Sequence, residues 1–373
     1  MIVQNVLDER FSPLRDAFAA HFGRDDEFRE LGAGVVVYEH GRKVVDLHGG
    51  WQDTQRQTPW SSRTLANIWS ASKGVMAVAI AQLVEAGELD YARPVATWWP
   101  EFAAAGKEAI TLDQVMAHRA GLNGFAAPTS PDELYDWPLI VARIAAQAPL
   151  WTPDSTASYH GMTWGWITGE LVRRITGLMP REYIHRHIAL PLGADLFLGL
   201  PPERAGDAAW IVPPQEDLRP AALNAIAVGP TRNPAPNAAA ANLQAWREAQ
   251  IPAVNVHASA DGLARLYGAL ANGGSLDGAR ILSPAAIAAM TRPRGAPHDE
   301  MLGERQWAGG VALSRCGLYG PRDNAFGHSG WGGSFGFADP DTGRGVAYLV
   351  NRMGSALNGD PRAKTMARLA AEL

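Results

Sequence analysis

SASKGVMAVAIAQLVEAG, Ser70–Gly87, is the stretch on which the reading of this 373-residue chain turns. Apart from Ser70, Ser72, Lys73, Gln82 and Glu85 it is almost wholly apolar, it lacks proline, and it ends at Gly87, a good helix terminator. A helix that is apolar on every side is a buried one. Its first turn carries Ser70 and Lys73, three residues apart and therefore on one face. The helix start aims backbone N–H groups at whatever sits on Ser70. A serine hydroxyl is a poor nucleophile until a neighbouring base takes its proton. A lysine forced into an apolar setting holds its own proton less tightly and serves as that base. The bland alternative has Ser70 capping the helix and Lys73 reaching solvent. Two features oppose it: a lysine in the first turn works against the helix dipole, and the residues that follow are too apolar for an exposed face. Ser-x-x-Lys is short enough to arise by chance, so its context carries the weight. Lysine is rare here, at positions 43, 73, 107 and 364 only, which makes each one informative.

Working outward, Pro13–Phe22 reads as a helix. GVVVYEHGRKVVDLHGGW, Gly34–Trp51, reads as two β-rich runs turning at His40-Gly41. Downstream, Met162–Thr176 is amphipathic and stops at Gly177, and Ser259–Asn272 is again helical. Pro201–Ala240 is rich in Pro, Ala and Asn and reads as a long irregular excursion. Trp307–Leu313, Phe335–Asp339 and Gly345–Asn351 are strand candidates, the last two joined by a turn in DPDTGRG, and Pro361–Leu373 is a final helix. Strands thus sit at both ends and helices in the middle. The expected fold is α+β: an antiparallel sheet built from both chain ends and flanked by helices, with an inserted mainly helical domain. The expected boundaries are 1–76 with 255–373 for the sheet domain and 77–254 for the insertion.

The bulk numbers exclude several classes. The chain is 47% hydrophobic and 19% charged with a net charge of −5, a balance that suggests neither nucleic acid nor an anionic membrane surface as partner. Its one cysteine, Cys316, rules out an intrachain disulfide and any multi-cysteine metal site. None of the ten histidines has the spacing of an HExxH site, and no metal or other cofactor is expected. The first residues do not read as a signal peptide, and no run is apolar enough to span a bilayer, so a soluble cytoplasmic protein is expected.

Two further segments bear on chemistry. Tyr159 lies in SYHGMTWGW, just before the helix at Met162. Such a tyrosine is commonly a packed aromatic; near a lysine its phenol is a proton shuttle. GHSGWGGSFGFADP, Gly327–Pro340, holds five glycines in its first ten residues. It reads either as a bulged strand or as a strand edge where backbone N–H groups approach substrate closely, as an oxyanion hole requires. Gly327-His328-Ser329-Gly330-Trp331 also nearly matches a G-x-S-x-G elbow. That elbow joins a strand to a helix, whereas a β-hairpin follows here, so Ser329 is rejected as the nucleophile. The glycines fail as a dinucleotide fingerprint for the same reason.

The order Ser70-x-x-Lys73, Tyr159, late glycine-bearing triplet resembles the serine β-lactamase and penicillin-binding-protein superfamily, and within it the esterase branch called family VIII carboxylesterases. GELDYARPVATWWPEF (Gly87–Phe102), ITLDQVMAHRAGL (Ile110–Leu122) and PLGADLFLGLP (Pro191–Pro201) agree, so the similarity runs over most of the chain. The resemblance implies a β-lactamase/transpeptidase-like fold with Ser70 as nucleophile. It implies that Lys73 and Tyr159 share the proton and that Tyr159 passes one to the departing alkoxide. It implies an oxyanion hole from the backbone N–H of Ser70 and of the residue after the third triplet. Aligned as the substrate-binding segment His328-Ser329-Gly330, that triplet makes Trp331 the second donor; aligned as Trp331-Gly332-Gly333, it makes Ser334 the donor.

Two departures matter. Gly161 stands where the tyrosine motif usually ends in asparagine, and His328 stands where the third triplet usually begins with lysine. Both losses argue against efficient β-lactam or peptide cleavage and for small, short-chain carboxylic esters. A neutral His328 is still expected to hydrogen-bond Tyr159. Trp98, Trp99, Trp137, Trp151, Trp164 and Trp331 are candidates for an apolar acyl pocket. The competing readings are β-lactamase, D-alanyl peptidase or acyltransferase activity at the same site, and a catalytically silent binding scaffold. The oligomeric state is left open.

Overall fold

In this computed structural model, residues 2–215, 222, 224–229, 233–355 and 359–373 are described. The main sheet has eight strands: β1 (Ile2–Leu7), β2 (Gly32–Glu39), β3 (Arg42–Gly50), β4 (Gln306–Trp307), β5 (Ala312–Leu313), β6 (Phe326–Ser329), β7 (Phe335–Asp339) and β8 (Arg344–Val350). Their order is β1-β3-β2-β8-β7-β6-β5-β4, and every neighbouring pair is antiparallel. The two chain ends meet where β2 pairs with β8, Val36 opposite Ala347. The β2–β3 turn is tight because His40 and Gly41 both take positive φ, 48° and 76°, as a two-residue hairpin matched to strand twist requires.

Side chains alternate across the sheet. Val35, Val37, Leu47, Phe337 and Tyr348 pack with Phe11, Leu14 and Phe18 of helix α1 (Ser12–His21) and its entry turn, and with Met366 and Ala370 of the C-terminal helix Pro361–Glu372. Val36, Tyr38, Ala338, Ala347 and Leu349 face the other way, into the core shared with the helix Ala260–Ala271 and the middle of the chain. Both faces are covered, which is why β2 reads as an unbroken apolar run.

The buried helix expected behind Ser70 is present as α2 (Ser72–Glu85), preceded by a single 3₁₀ turn at Trp69–Ala71 that holds Ser70. Every residue from Ser72 to Ala81 is buried. The amphipathic helix before Gly177 is α3 (Thr163–Thr176), and Gly177 ends it at φ 72°. Three strands, Ala66–Asn67, Leu196–Leu198 and Val256–Ala258, form a small second sheet beside the start of α2.

Two sequence expectations need correction. Trp307–Leu313 is not one strand: the chain reverses at Gly309-Gly310, with Gly310 at φ 89°, so β4 and β5 form a short hairpin. β1 adds a strand that sequence reasoning does not find, because an edge strand with mostly exposed side chains carries no apolar alternation. The Pro201–Ala240 excursion contains one-turn elements at Pro202–Asp207 and Ala225–Val228; positions 216–221, 223 and 230–232 lie outside the described residues. Among the described residues no helix is long and apolar enough to cross a membrane.

Candidate active site

The turn bearing Ser70 is clamped from two sides. Ile68 N–H donates to the Val256 carbonyl at 2.9 Å, and Ser72 Oγ accepts the Val256 N–H at 3.0 Å. From the other side the end of β6 arrives so closely that a Cβ on Gly330 would sit 2.3 Å from the Ile68 carbonyl oxygen. Between these contacts Trp69 is held at φ 49°, a conformation that a bulky residue adopts only when its surroundings over-determine it.

Lys73 follows on the buried helix and is 1% exposed. Its Nζ lies 2.7 Å from the Gly161 carbonyl oxygen, 3.3 Å from the Ala253 carbonyl oxygen and 3.5 Å from Ser70 Oγ. It also sits 4.6 Å from the centre of the Tyr159 ring. No carboxylate among the described residues pairs with it, and burial pushes its pKa well below that of a free lysine. Its three nearest oxygen partners are two backbone carbonyls and the Ser70 hydroxyl. The Gly161 backbone thus makes the lysine contact that an asparagine side chain would otherwise supply.

Tyr159 is buried beside them. Its ring stacks on Trp307 at 5.7 Å and 9°, and His118 lies 4.8 Å away. Burial drives the phenol pKa up, only partly offset by the adjacent Ser70 hydroxyl, so the group stays protonated. His118, at φ 60°, accepts the His160 N–H on Nδ1 at 3.1 Å. His160 in turn accepts the Leu122 N–H on Nε2 at 3.0 Å, so its Nδ1 carries the hydrogen shared with the Ser158 carbonyl at 2.7 Å. Burial pushes the His160 pKa down to about 3.

The glycine-rich segment divides into parts with different work. His328 is buried on β6, and desolvation lowers its pKa to about 3, so it is neutral. The expected hydrogen bond to Tyr159 is not made: among the described residues His328 Nε2 lacks a partner, and the two rings instead lie tilted at 6.1 Å. Ser329 Oγ lies 3.2 Å from the Tyr319 hydroxyl, and its strand leads to β7, not to a helix. His328 and Ser329 border a space of about 360 Å³ shared with Ser70 and Tyr159. Trp331 lines this space and also the main cleft, and among the described residues neither its N–H nor that of Ser70 is spent on another hydrogen bond. Ser334 faces away from both: its carbonyl takes the Gly330 N–H at 2.6 Å and its Oγ takes the Val350 N–H at 3.1 Å.

The main cleft beside Ser70 spans about 1010 Å³, part of it open solvent. Its walls are mostly apolar, with Phe125, Leu134, Met162 and Trp246 prominent, and no described residue lining it is charged. Of the six tryptophans that the sequence offers for an acyl pocket only Trp331 reaches it; Trp99 and Trp164 are buried in the core. Trp69 and Trp246 escape sequence reasoning as walls, although Trp69 adjoins the nucleophile. Asp299 and Trp307, which hold Tyr159, escape it as well, because nothing local in the sequence marks them.

The chain is similar to several known proteins over most of its length. Residues 18–371 match the family described as Beta-lactamase. The Mycobacterium tuberculosis protein named Esterase/beta-lactamase LipL is 38% identical over 377 residues, covering 95% of this chain and 84% of LipL. A penicillin-binding protein homolog from Caulobacter crescentus superposes with a TM-score of 0.94 at 40% identity, over 100% of this chain and 99% of that one. A solved family VIII carboxylesterase gives 0.93 at 39% identity with the same coverage. The chain belongs to the beta-lactamase family and is a hydrolase of that kind.

Proposed function

We propose that this protein hydrolyses short-chain carboxylic esters through an acyl-enzyme on Ser70. One observation carries the reading: the buried Lys73 amine, with no carboxylate pairing with it among the described residues, touches the Gly161 and Ala253 carbonyls and lies 3.5 Å from Ser70 Oγ, so that in its neutral form the lone pair is left for the serine. Lys73 accepts the Ser70 proton as Oγ attacks the ester carbonyl. The N–H groups of Ser70 and Trp331 receive the developing oxyanion. Tyr159 donates its proton to the departing alkoxide and is reprotonated from Lys73. Water then attacks the acyl group, gives its proton back through the same pair, and releases the acid.

Esters are favoured over β-lactams because His328 is neutral and Gly161 brings no side-chain amide; the wide cleft has no charged lining among the described residues, and Arg305 is the cation that borders the smaller space beside Ser70 and His328. The name of the solved carboxylesterase supports the same side, while that of LipL carries both activities. The test is fluorophosphonate labelling followed by peptide mass spectrometry, with kcat/KM for p-nitrophenyl butyrate and nitrocefin. Labelling is expected on Ser70, absent in Ser70→Ala, with the ester turned over far faster. Labelling of Ser329, or comparable kcat/KM for nitrocefin, overturns the reading.

A further inference from the structure

We infer that Asp299 is a positioning residue that fixes Tyr159 beside Ser70, directly through the Tyr159 backbone and indirectly through Trp307. This inference rests on the esterase reading above.

Asp299 is fully buried. Its Oδ1 accepts the backbone N–H groups of Tyr159, Met301 and Leu302 at 3.3, 2.9 and 3.0 Å. Its Oδ2 accepts the Trp307 indole N–H at 2.9 Å. That indole is the plane on which the Tyr159 ring stacks. One carboxylate therefore holds the main chain of the tyrosine, the aromatic plate under its ring, and the turn that brings Met301 into the cleft wall.

Burial raises the Asp299 pKa, and the four N–H donors, all neutral, oppose that by favouring the carboxylate form. A turn alone would be served nearly as well by asparagine, whose oxygen also accepts the three backbone N–H groups. Asparagine fails at the fourth contact. Its NH₂ would face the Trp307 N–H, donor against donor. The carboxylate is the group that satisfies the turn and the indole together. Its neighbours in sequence take no part in this: His298 is exposed, and Glu300 is engaged with Thr156 and Asn224.

The expected consequence is specific to the leaving group. A p-nitrophenolate departs without needing a proton, whereas an alkoxide needs the one that Tyr159 delivers. Displacing Tyr159 should therefore penalise alkyl esters more than activated aryl esters. In Asp299→Asn, kcat/KM for ethyl butyrate should fall about 100-fold, against about 10-fold or less for p-nitrophenyl butyrate. Trp307→Phe should move both in the same direction, and the double variant should cost little more than the worse single one, because the two residues act through one contact.

Equal losses on the two esters, additive losses in the double variant, or wild-type rates on both overturn the inference. If Asp299→Asn fails to fold by circular dichroism, Trp307→Phe decides: a selective loss on the ethyl ester supports the inference, and unchanged or equally reduced rates overturn it. Failure of the underlying esterase reading is distinguishable, since it appears in the wild-type protein as absent Ser70 labelling.

Discussion

At the scale of single residues, the proposed base Lys73 has no carboxylate pairing with it among the described residues. An exposed lysine would be cationic and useless as a base; this one sits among carbonyls at the head of an apolar helix. Lys73→Arg separates charge from base function, since a guanidinium stays protonated at any working pH. Its kcat/KM for p-nitrophenyl butyrate should fall about 1000-fold. Stopped-flow or plate-based hydrolysis checks this, and a loss under about tenfold would remove Lys73 from the base role. The Ser70 and Lys73 pair is legible in the sequence because helical periodicity alone puts positions three apart on one face. The part played by Gly161 is not, because it acts through a carbonyl whose direction depends on a loop far along the chain from Lys73.

At the scale of elements, the close approach of β6 to the Ser70 turn is what assembles the site. Gly330 is needed there for space: a methyl group would meet the Ile68 carbonyl oxygen and the Trp69 side chain. Gly330→Ala should destabilise the fold by about 1–3 kcal/mol, as overpacking does, seen as a lower urea midpoint. It should also slow ester turnover by moving Trp331 relative to Ser70. Wild-type stability and activity together would show that the contact relaxes freely. The helices α1, α2 and α3 and the strands β2, β3, β7 and β8 are visible from periodicity, caps and turns. β4 and β5 merge in the sequence because two-residue strands are too short to show a period, and β1 is hidden because its pairing, not its pattern, makes it a strand.

At the scale of the whole molecule, histidine burial makes the fold sensitive to acid. Desolvation lowers the pKa of His21 to about 4, and those of His160, His257 and His328 to about 3. These groups are neutral in the folded state, while in the unfolded chain they protonate near an ordinary pKa of about 6.5. A lowered folded value means that the stability they contribute is complete above that pH and is lost as the pH falls towards their folded values. Each histidine removes up to about 1.4 kcal/mol per pH unit in that window. Melting curves from pH 8 to pH 5 should show Tm falling more steeply below about pH 6.5 than above it, where the histidines add nothing and the lowered Lys73 pKa already costs stability as the pH falls. A Tm unchanged down to pH 5 would contradict the burial of these rings.

The linear chain by itself determined the α+β class, the buried helix behind Ser70, the Ser70–Lys73 spacing and the presence of a tyrosine of the right kind. Each follows from short-range rules: periodicity, capping and turn chemistry act over a few residues. Only the tertiary structure decided which carbonyls contact Lys73, which tryptophans wall the cleft, and how Asp299 and Trp307 bear on Tyr159. Those relations join segments tens to hundreds of residues apart, where no local rule operates and packing alone chooses the partner.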